Sequence, residues 1–136
     1  MKPHFDVTAG LIRREGKVLI TKRPRGSHLA GLWELPGGKR EEGEGLRGCL
    51  EREIREELGM GVRAERRLFT VPYEYETKRI TLHIFDCVDL GDAPVALEGQ
   101  EMKWVPPEEL PSYSFPPPDL KVIRTLAREA KLSVMK

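Results

Sequence analysis

The chain has 136 residues and a mass of 15.5 kDa, the length of one ordinary domain, and folding at this size buries roughly two-thirds of the extended surface. With 39% hydrophobic and 33% charged residues and no run of about 18 apolar positions, it is neither a disordered chain nor a helical membrane protein. Lys and Arg number 23 against 22 Asp and Glu, so the net charge of +1 gives no sign of a polybasic binder of nucleic acid or anionic lipid. A single domain over residues 1–136 is expected.

Residues 5–13, with Val7, Ala9, Leu11 and Ile12, form an apolar strand. A turn at Glu15-Gly16 leads into a second strand at Val18-Leu19-Ile20-Thr21, and the two make a hairpin. Residues 25–31 are loop, broken by Gly26, Ser27 and Gly31. A short strand over 32–35 stops at Pro36-Gly37-Gly38. Residues 45–58 form the clearest helix: Leu46, Leu50, Ile54 and Leu58 step by four, and Gly59 provides the stop. Strands follow over 66–75 and 79–88, the second alternating Ile80, Leu82 and Ile84. Residues 90–99 are loop, 102–105 a short strand, and 106–110 a turn or short helix. Phe115-Pro116-Pro117-Pro118 is a rigid lead-in to a last helix over 120–131, with Asp119 at the N-cap position. Strands in mixed order around two helices give an α/β class, a mixed sheet sandwiched between helices. Cys49 and Cys87 have neither metal nor redox spacing and are expected to be reduced core thiols. The N-terminus carries no signal-peptide core, so a soluble cytoplasmic protein is expected.

Charge is unevenly spread. Residues 41–57 contain Glu41, Glu42, Glu44, Glu51, Glu53, Glu56 and Glu57 against Arg47, Arg52 and Arg55. On a helix, Glu53, Glu56 and Glu57 stand at i, i+3 and i+4 and share one face, away from the leucine stripe. Like charges at that spacing repel, and something cationic should offset them. One solution is a hard divalent ion, which takes oxygen ligands. The other is a solvated face paired with Arg52 and Arg55. Gly37-Gly38 before the helix provides a backbone that a phosphate or an ion can approach closely.

Gly38, Glu44 and the run Arg52-Glu53-Ile54-Arg55-Glu56-Glu57-Leu58-Gly59-Met60, with five and seven residues between the blocks, resemble the complete Nudix box. Arg23, His28, Glu34, the segment Pro36-Gly37-Gly38-Lys39, Glu98-Gly99-Gln100 and Phe115-Pro116-Pro117 extend the resemblance to the MutT subgroup over roughly residues 5–127. The resemblance implies a Nudix-type α/β/α sandwich. It also implies Mg2+- or Mn2+-dependent hydrolysis of nucleoside triphosphates to monophosphate and pyrophosphate, with 8-oxo-dGTP foremost. Alternatives are modified pyrimidine nucleotides such as 5-methyl-dCTP, dinucleoside polyphosphates, or a catalytically silent nucleotide sensor. The partner is a small nucleotide, with no nucleic-acid polymer or membrane, and the protein is a monomer or homodimer.

The resemblance also distributes roles. Glu53 and Glu57 hold the metal, with the Gly37 carbonyl, Glu56 and Glu98 as further ligands. Glu53 or Glu98 is the general base. Arg52 orients a box carboxylate, and Glu44 acts behind the metal ligands or through a bridging water. Arg23 clamps phosphate, and His28, Glu34, Leu35, Pro36, Gly37, Gly38, Lys39 and Lys78 bind substrate. Lys78 departs from the subgroup, which carries arginine there, and loses planar stacking. Asp119 departs more sharply, because the subgroup reads the purine with asparagine. An ionised aspartate can accept from the N1–H and 2-amino group of a guanine edge but cannot donate to O6, so it is compatible with guanine yet weakens strict selection of 8-oxoguanine, and it also suits the exocyclic amine of cytosine or adenine. Asp119 is otherwise read as a helix cap alone.

Overall fold

A computed structural model describes residues 1–24, 26, 27 and 29–134; the His28 assignment falls outside the described residues. Seven strands and two α-helices follow one another as β1 (His4–Arg14), β2 (Lys17–Lys22), β3 (Trp33–Glu34), β4 (Gly37–Lys39), α1 (Leu46–Leu58), β5 (Val62–Glu74), β6 (Arg79–Asp89), β7 (Met102–Val105) and α2 (Leu120–Val134). Two 3-10 turns, Pro107–Ser112 and Pro117–Asp119, precede α2.

The strands form one mixed sheet in the order β3-β2-β1-β6-β5, with β4 added beside β1 and β7 beside β2. β1 is the axis. It runs parallel to β6 from His4↔Arg79 to Ile12↔Cys87, and antiparallel to β4 and to the start of β2. The expected β1–β2 hairpin is present, and its partner strand continues into pairing with β7.

Alternation along the strands divides the core. Ala9, Leu11, Leu82 and Ile84 face α2, where they meet Val122, Ile123 and Leu126. Ile12, Leu19 and Phe85 face α1 and meet the fully buried Leu50, Ile54 and Leu58. Neighbouring residues such as Leu11 and Ile12 therefore serve opposite layers, as the two-residue period of a strand requires. The result is an α/β/α sandwich. Both cysteines are free, Cys49 in the core and Cys87 half-buried. Among the described residues no helix is long and apolar enough to cross a membrane.

Three expectations need correction. The short strand does stop before Pro36, at Glu34, but Gly37-Gly38 then begins an unforeseen strand, β4, pairing Gly37 with Ala9 and Gly38 with Thr8. Glycine is needed there because a Cβ on Gly37 would overlap the Thr8 carbonyl. β5 begins at Val62, where Val62 and Ala64 already alternate inward; bulges around Arg67 interrupt the pattern and obscure it in the sequence. Asp119 does not cap α2. The prolines start helical turning at Pro117, so Asp119 lies inside the first turn and points into a cleft.

Candidate active site

α1 is held by its buried leucine face, and its glutamates fall on the edge beside β4. Glu53 lies over Gly38; any Cβ there would collide with the Glu53 carboxylate, so only glycine permits this approach. The Gly38 carbonyl accepts from the Thr8 hydroxyl at 3.1 Å and from the Cys49 thiol at 3.7 Å, which pins β4 to α1. The segment before α1 is anchored by Arg40, whose guanidinium donates to the Asp6 carboxylate and to the Glu44 carbonyl at 3.2 Å each. His83 Nε2 donates to the other Asp6 oxygen, 2.9 Å away.

Arg52 organises the acids behind the site. It grips Glu44 with two nitrogens, one at 2.9 Å, and donates at 3.1 Å to both Glu53 and Glu56. The hydrogen bonds from Arg52 hold the Glu44 carboxyl down to about 2. Glu56 stays at the solvent edge with a side chain 57% exposed and does not line the cleft, so its expected place among the metal ligands requires a different rotamer.

A cleft of about 400 Å³ opens on the α2 side of the sheet. Val7, Ala9, Ile80 and Leu82 form its floor, and it brings together Arg23, Glu34, Leu35, Gly37, Gly38, Lys39, Lys78, Glu57, Glu98 and Asp119. Pro36 is absent from the wall: it is buried, and its carbonyl accepts from the Gly10 N–H at 2.8 Å. Arg23 pairs with Glu34 at 2.7 Å. The Lys39 ammonium sits 4.4 Å from the Phe5 ring centre and that of Lys78 5.7 Å from the Tyr75 ring. Tyr75 and the prolines Pro116 and Pro118 also line the cleft. Tyr75 directly follows β5, and nothing local in the sequence separates it from an ordinary strand aromatic.

The backbone of the loop carrying Glu98 is tethered to α1. Val95 and Leu97 donate to the Leu58 and Glu57 carbonyls at 2.8 and 3.0 Å. These carbonyls lie in the last turn of α1, which ends at a left-handed Gly59 and leaves them without helical partners.

The electrostatics are those of crowded carboxylates. Burial, followed by the charges of Glu34, Glu53 and Glu98, pushes the Glu57 carboxyl up to about 9. Burial also raises Glu53, against the pull of Arg52, and Glu34, against that of Arg23. At the other end, burial and then the Glu34 charge raise Asp119 to about 7. Asp119 is 7% exposed, and its carboxyl makes no hydrogen bond among the described residues. Hard oxygen donors that mutually resist ionisation suit a hard divalent cation. Among the described residues no three His, Cys, Asp or Glu side chains already stand at ligating distance, so the fit rests on the chemistry of the donors.

The comparisons agree with this architecture. A family model of the NUDIX domain matches residues 8–125. The CTP pyrophosphohydrolase of Escherichia coli K12 is 37% identical over 119 residues, covering 88% of each chain. The 8-oxo-dGTP diphosphatase of Haemophilus influenzae is 35% identical over 129 residues, 94% of this chain and 95% of its own. Among solved structures, the MutT protein of Methanosarcina mazei Go1 superposes with a TM-score of 0.83 at 30% identity, covering 96% of this chain and 97% of that one. The E. coli ORF135 protein gives 0.80 at 34% identity, covering 98% and 92%. With a glutamate-bearing helix, a glycine strand and a facing cleft in one sandwich, and with relatives matched along nearly their whole length, the chain belongs to the Nudix family as a MutT-like hydrolase.

Proposed function

We propose that this enzyme hydrolyses nucleoside triphosphates, oxidised or otherwise modified ones included, to the monophosphate and pyrophosphate, with 8-oxo-dGTP foremost. The observation that carries this reading is a cleft with Glu57 and Glu98 at one end, Asp119 at the other, and Arg23, Lys39 and Lys78 along its wall. Mg2+ or Mn2+ would be held by Glu53, Glu57 and the Gly37 carbonyl, with Glu98 and Glu56 as further ligands. When bound, such ions neutralise phosphate charge and make a coordinated water a better nucleophile. The chain's own groups do the rest. Lysines 39 and 78 draw the triphosphate in, and Arg23, anchored on Glu34, offers a planar fork to a phosphate. Glu53 or Glu98 takes the proton of the attacking water. Arg52, fixed by Glu44, keeps Glu53 and Glu56 in register.

Asp119, in the cleft wall, meets the base in this reading. Near neutrality its carboxyl divides between an ionised form, which only accepts, and a protonated form, which also donates. The protonated form can also donate to a guanine O6, which an ionised aspartate cannot. The ionised form favours the exocyclic amine of cytosine. That supports a second reading, hydrolysis of cytosine nucleotides such as 5-methyl-dCTP, which is also in line with the CTP pyrophosphohydrolase relative.

The test is parallel turnover of 8-oxo-dGTP, dGTP, CTP, 5-methyl-dCTP, dinucleoside tetraphosphate and ADP-ribose with Mg2+ or Mn2+. Pyrophosphate release, fastest from 8-oxo-dGTP, is the expected result. Faster release from the cytosine nucleotides establishes the second reading. Tight binding of these nucleotides without turnover would mark a silent sensor and overturn both.

A further inference from the structure

Gln100 lies half-buried in the segment between β6 and β7, two residues beyond Glu98. Both ends of its side-chain amide are in use. Nε2 donates to the Glu57 carbonyl at 3.1 Å, and Oε1 accepts from the Glu98 N–H at 3.0 Å. The orientation is fixed by chemistry, since a carbonyl only accepts and a backbone N–H only donates. One side chain thus bridges the main chains of the two residues whose carboxylates enter the same end of the cleft.

The surroundings strengthen the bridge. The Glu57 carbonyl also accepts from Leu97 N–H, so both of its lone pairs are engaged. The Gly99 N–H closes a turn onto Ala96 at 3.1 Å, with Gly99 in the left-handed region at φ 72°. Glu98 stands at the tip of that turn, and among the described residues its exposed carboxylate makes no hydrogen bond of its own. Its placement therefore comes from the backbone, and the backbone is set by the turn and by Gln100.

We propose that Gln100 is a positioning residue that sets the distance between Glu98 and Glu57. The proposal rests on reading Glu98 as a carboxylate of the site. Removing the bridge leaves substrate binding intact, because the base and phosphate contacts lie elsewhere in the cleft. What it loosens is the approach of Glu98 during the chemical step. Residues acting behind a metal ligand are typically worth about 10–100-fold.

The experiment compares Gln100→Met, which keeps bulk and loses both bonds, with Glu98→Gln and the double variant. Steady-state hydrolysis of 8-oxo-dGTP and 5-methyl-dCTP is measured at saturating Mg2+, alongside melting temperatures. Gln100→Met is expected to lower kcat about tenfold with KM unchanged within about twofold. Glu98→Gln lowers kcat further, and the double variant is no slower than Glu98→Gln alone, as for two residues acting through one group. Losses that multiply in the double variant overturn the proposal, as does a wild-type kcat for Gln100→Met while Glu98→Gln is slow. A wild-type kcat for Glu98→Gln removes Glu98 from the site and the proposal with it. Should Gln100→Met not fold, Gln100→Asn, whose amide is one methylene too short to span both partners, replaces it in the same cycle.

Discussion

The two ends of the cleft solve opposite problems with the same functional group. At the α1 end, Glu57 and Glu98 line the cleft, and burial is joined by the charges of Glu34, Glu53 and Glu98 in raising the proton affinity of Glu57. At the far end a single buried carboxyl, Asp119, feels mainly its own burial, with Glu34 and Arg23 pulling in opposite directions. The first arrangement gains from a divalent cation and a polyphosphate between them. The second suits an uncharged donor–acceptor edge such as a nucleobase. On the proposed function, crowding marks the chemical end and isolation the recognition end.

The most severe way to break the contrast is to remove charge from the crowded end alone. Glu57→Gln keeps the shape and deletes the most perturbed carboxylate. Turnover should fall at least about 100-fold, roughly 2.7 kcal/mol of barrier, with the fold kept. Circular dichroism and pyrophosphate release measured together decide it, and a wild-type rate would refute the metal assignment.

Arg52 offers a sharper and smaller cut. Its guanidinium touches Glu44, Glu53 and Glu56 at once, which one lysine ammonium cannot reproduce. Arg52→Lys should lower kcat about tenfold and let the Glu44 carboxyl rise from about 2 toward an ordinary carboxylate value. Carboxylate titration by NMR together with kinetics follows both effects, and an unmoved Glu44 would show that the hydrogen bond from the Glu41 N–H, rather than Arg52, sets its acidity.

How much of this was legible beforehand follows the same division. The α1 end was readable because helix periodicity alone places Leu50, Ile54 and Leu58 on one face and Glu53, Glu56 and Glu57 on another. Both faces are formed as expected, although Arg52 draws Glu56 outward. The recognition end was only partly readable. Its walls come from β1, β6, the segment after β5 and the proline turn, which meet only in three dimensions, so the sequence offered Asp119 both as a reader of the base and as a cap, with no sign that Tyr75 joins the same wall. The tether of the Glu98 loop was hidden for a related reason. It is made by main-chain groups and one glutamine amide, and neither leaves a periodic trace. Gly37-Gly38 read as a breaker because glycine usually ends strands; here the close approach of Thr8 and Glu53 requires it inside one.

The finest test addresses Asp119 through stability. An unfolded aspartate releases its proton near 3.8, whereas the folded one holds it to about 7. Between those values the folded state carries a proton that the unfolded state has lost, so stability falls as pH rises, by up to roughly 1.4 kcal/mol per pH unit for one fully displaced group. Asp119→Asn removes that contribution. In metal-free buffer the variant should gain on the wild type from about pH 4 to pH 7 and run parallel to it above. Both proteins keep a slope beyond pH 7, because Glu57 holds its proton to about 9. Urea unfolding at unit pH steps measures the difference, and curves parallel throughout would mean that Asp119 is already ionised at pH 4 and that its burial does not hold the proton.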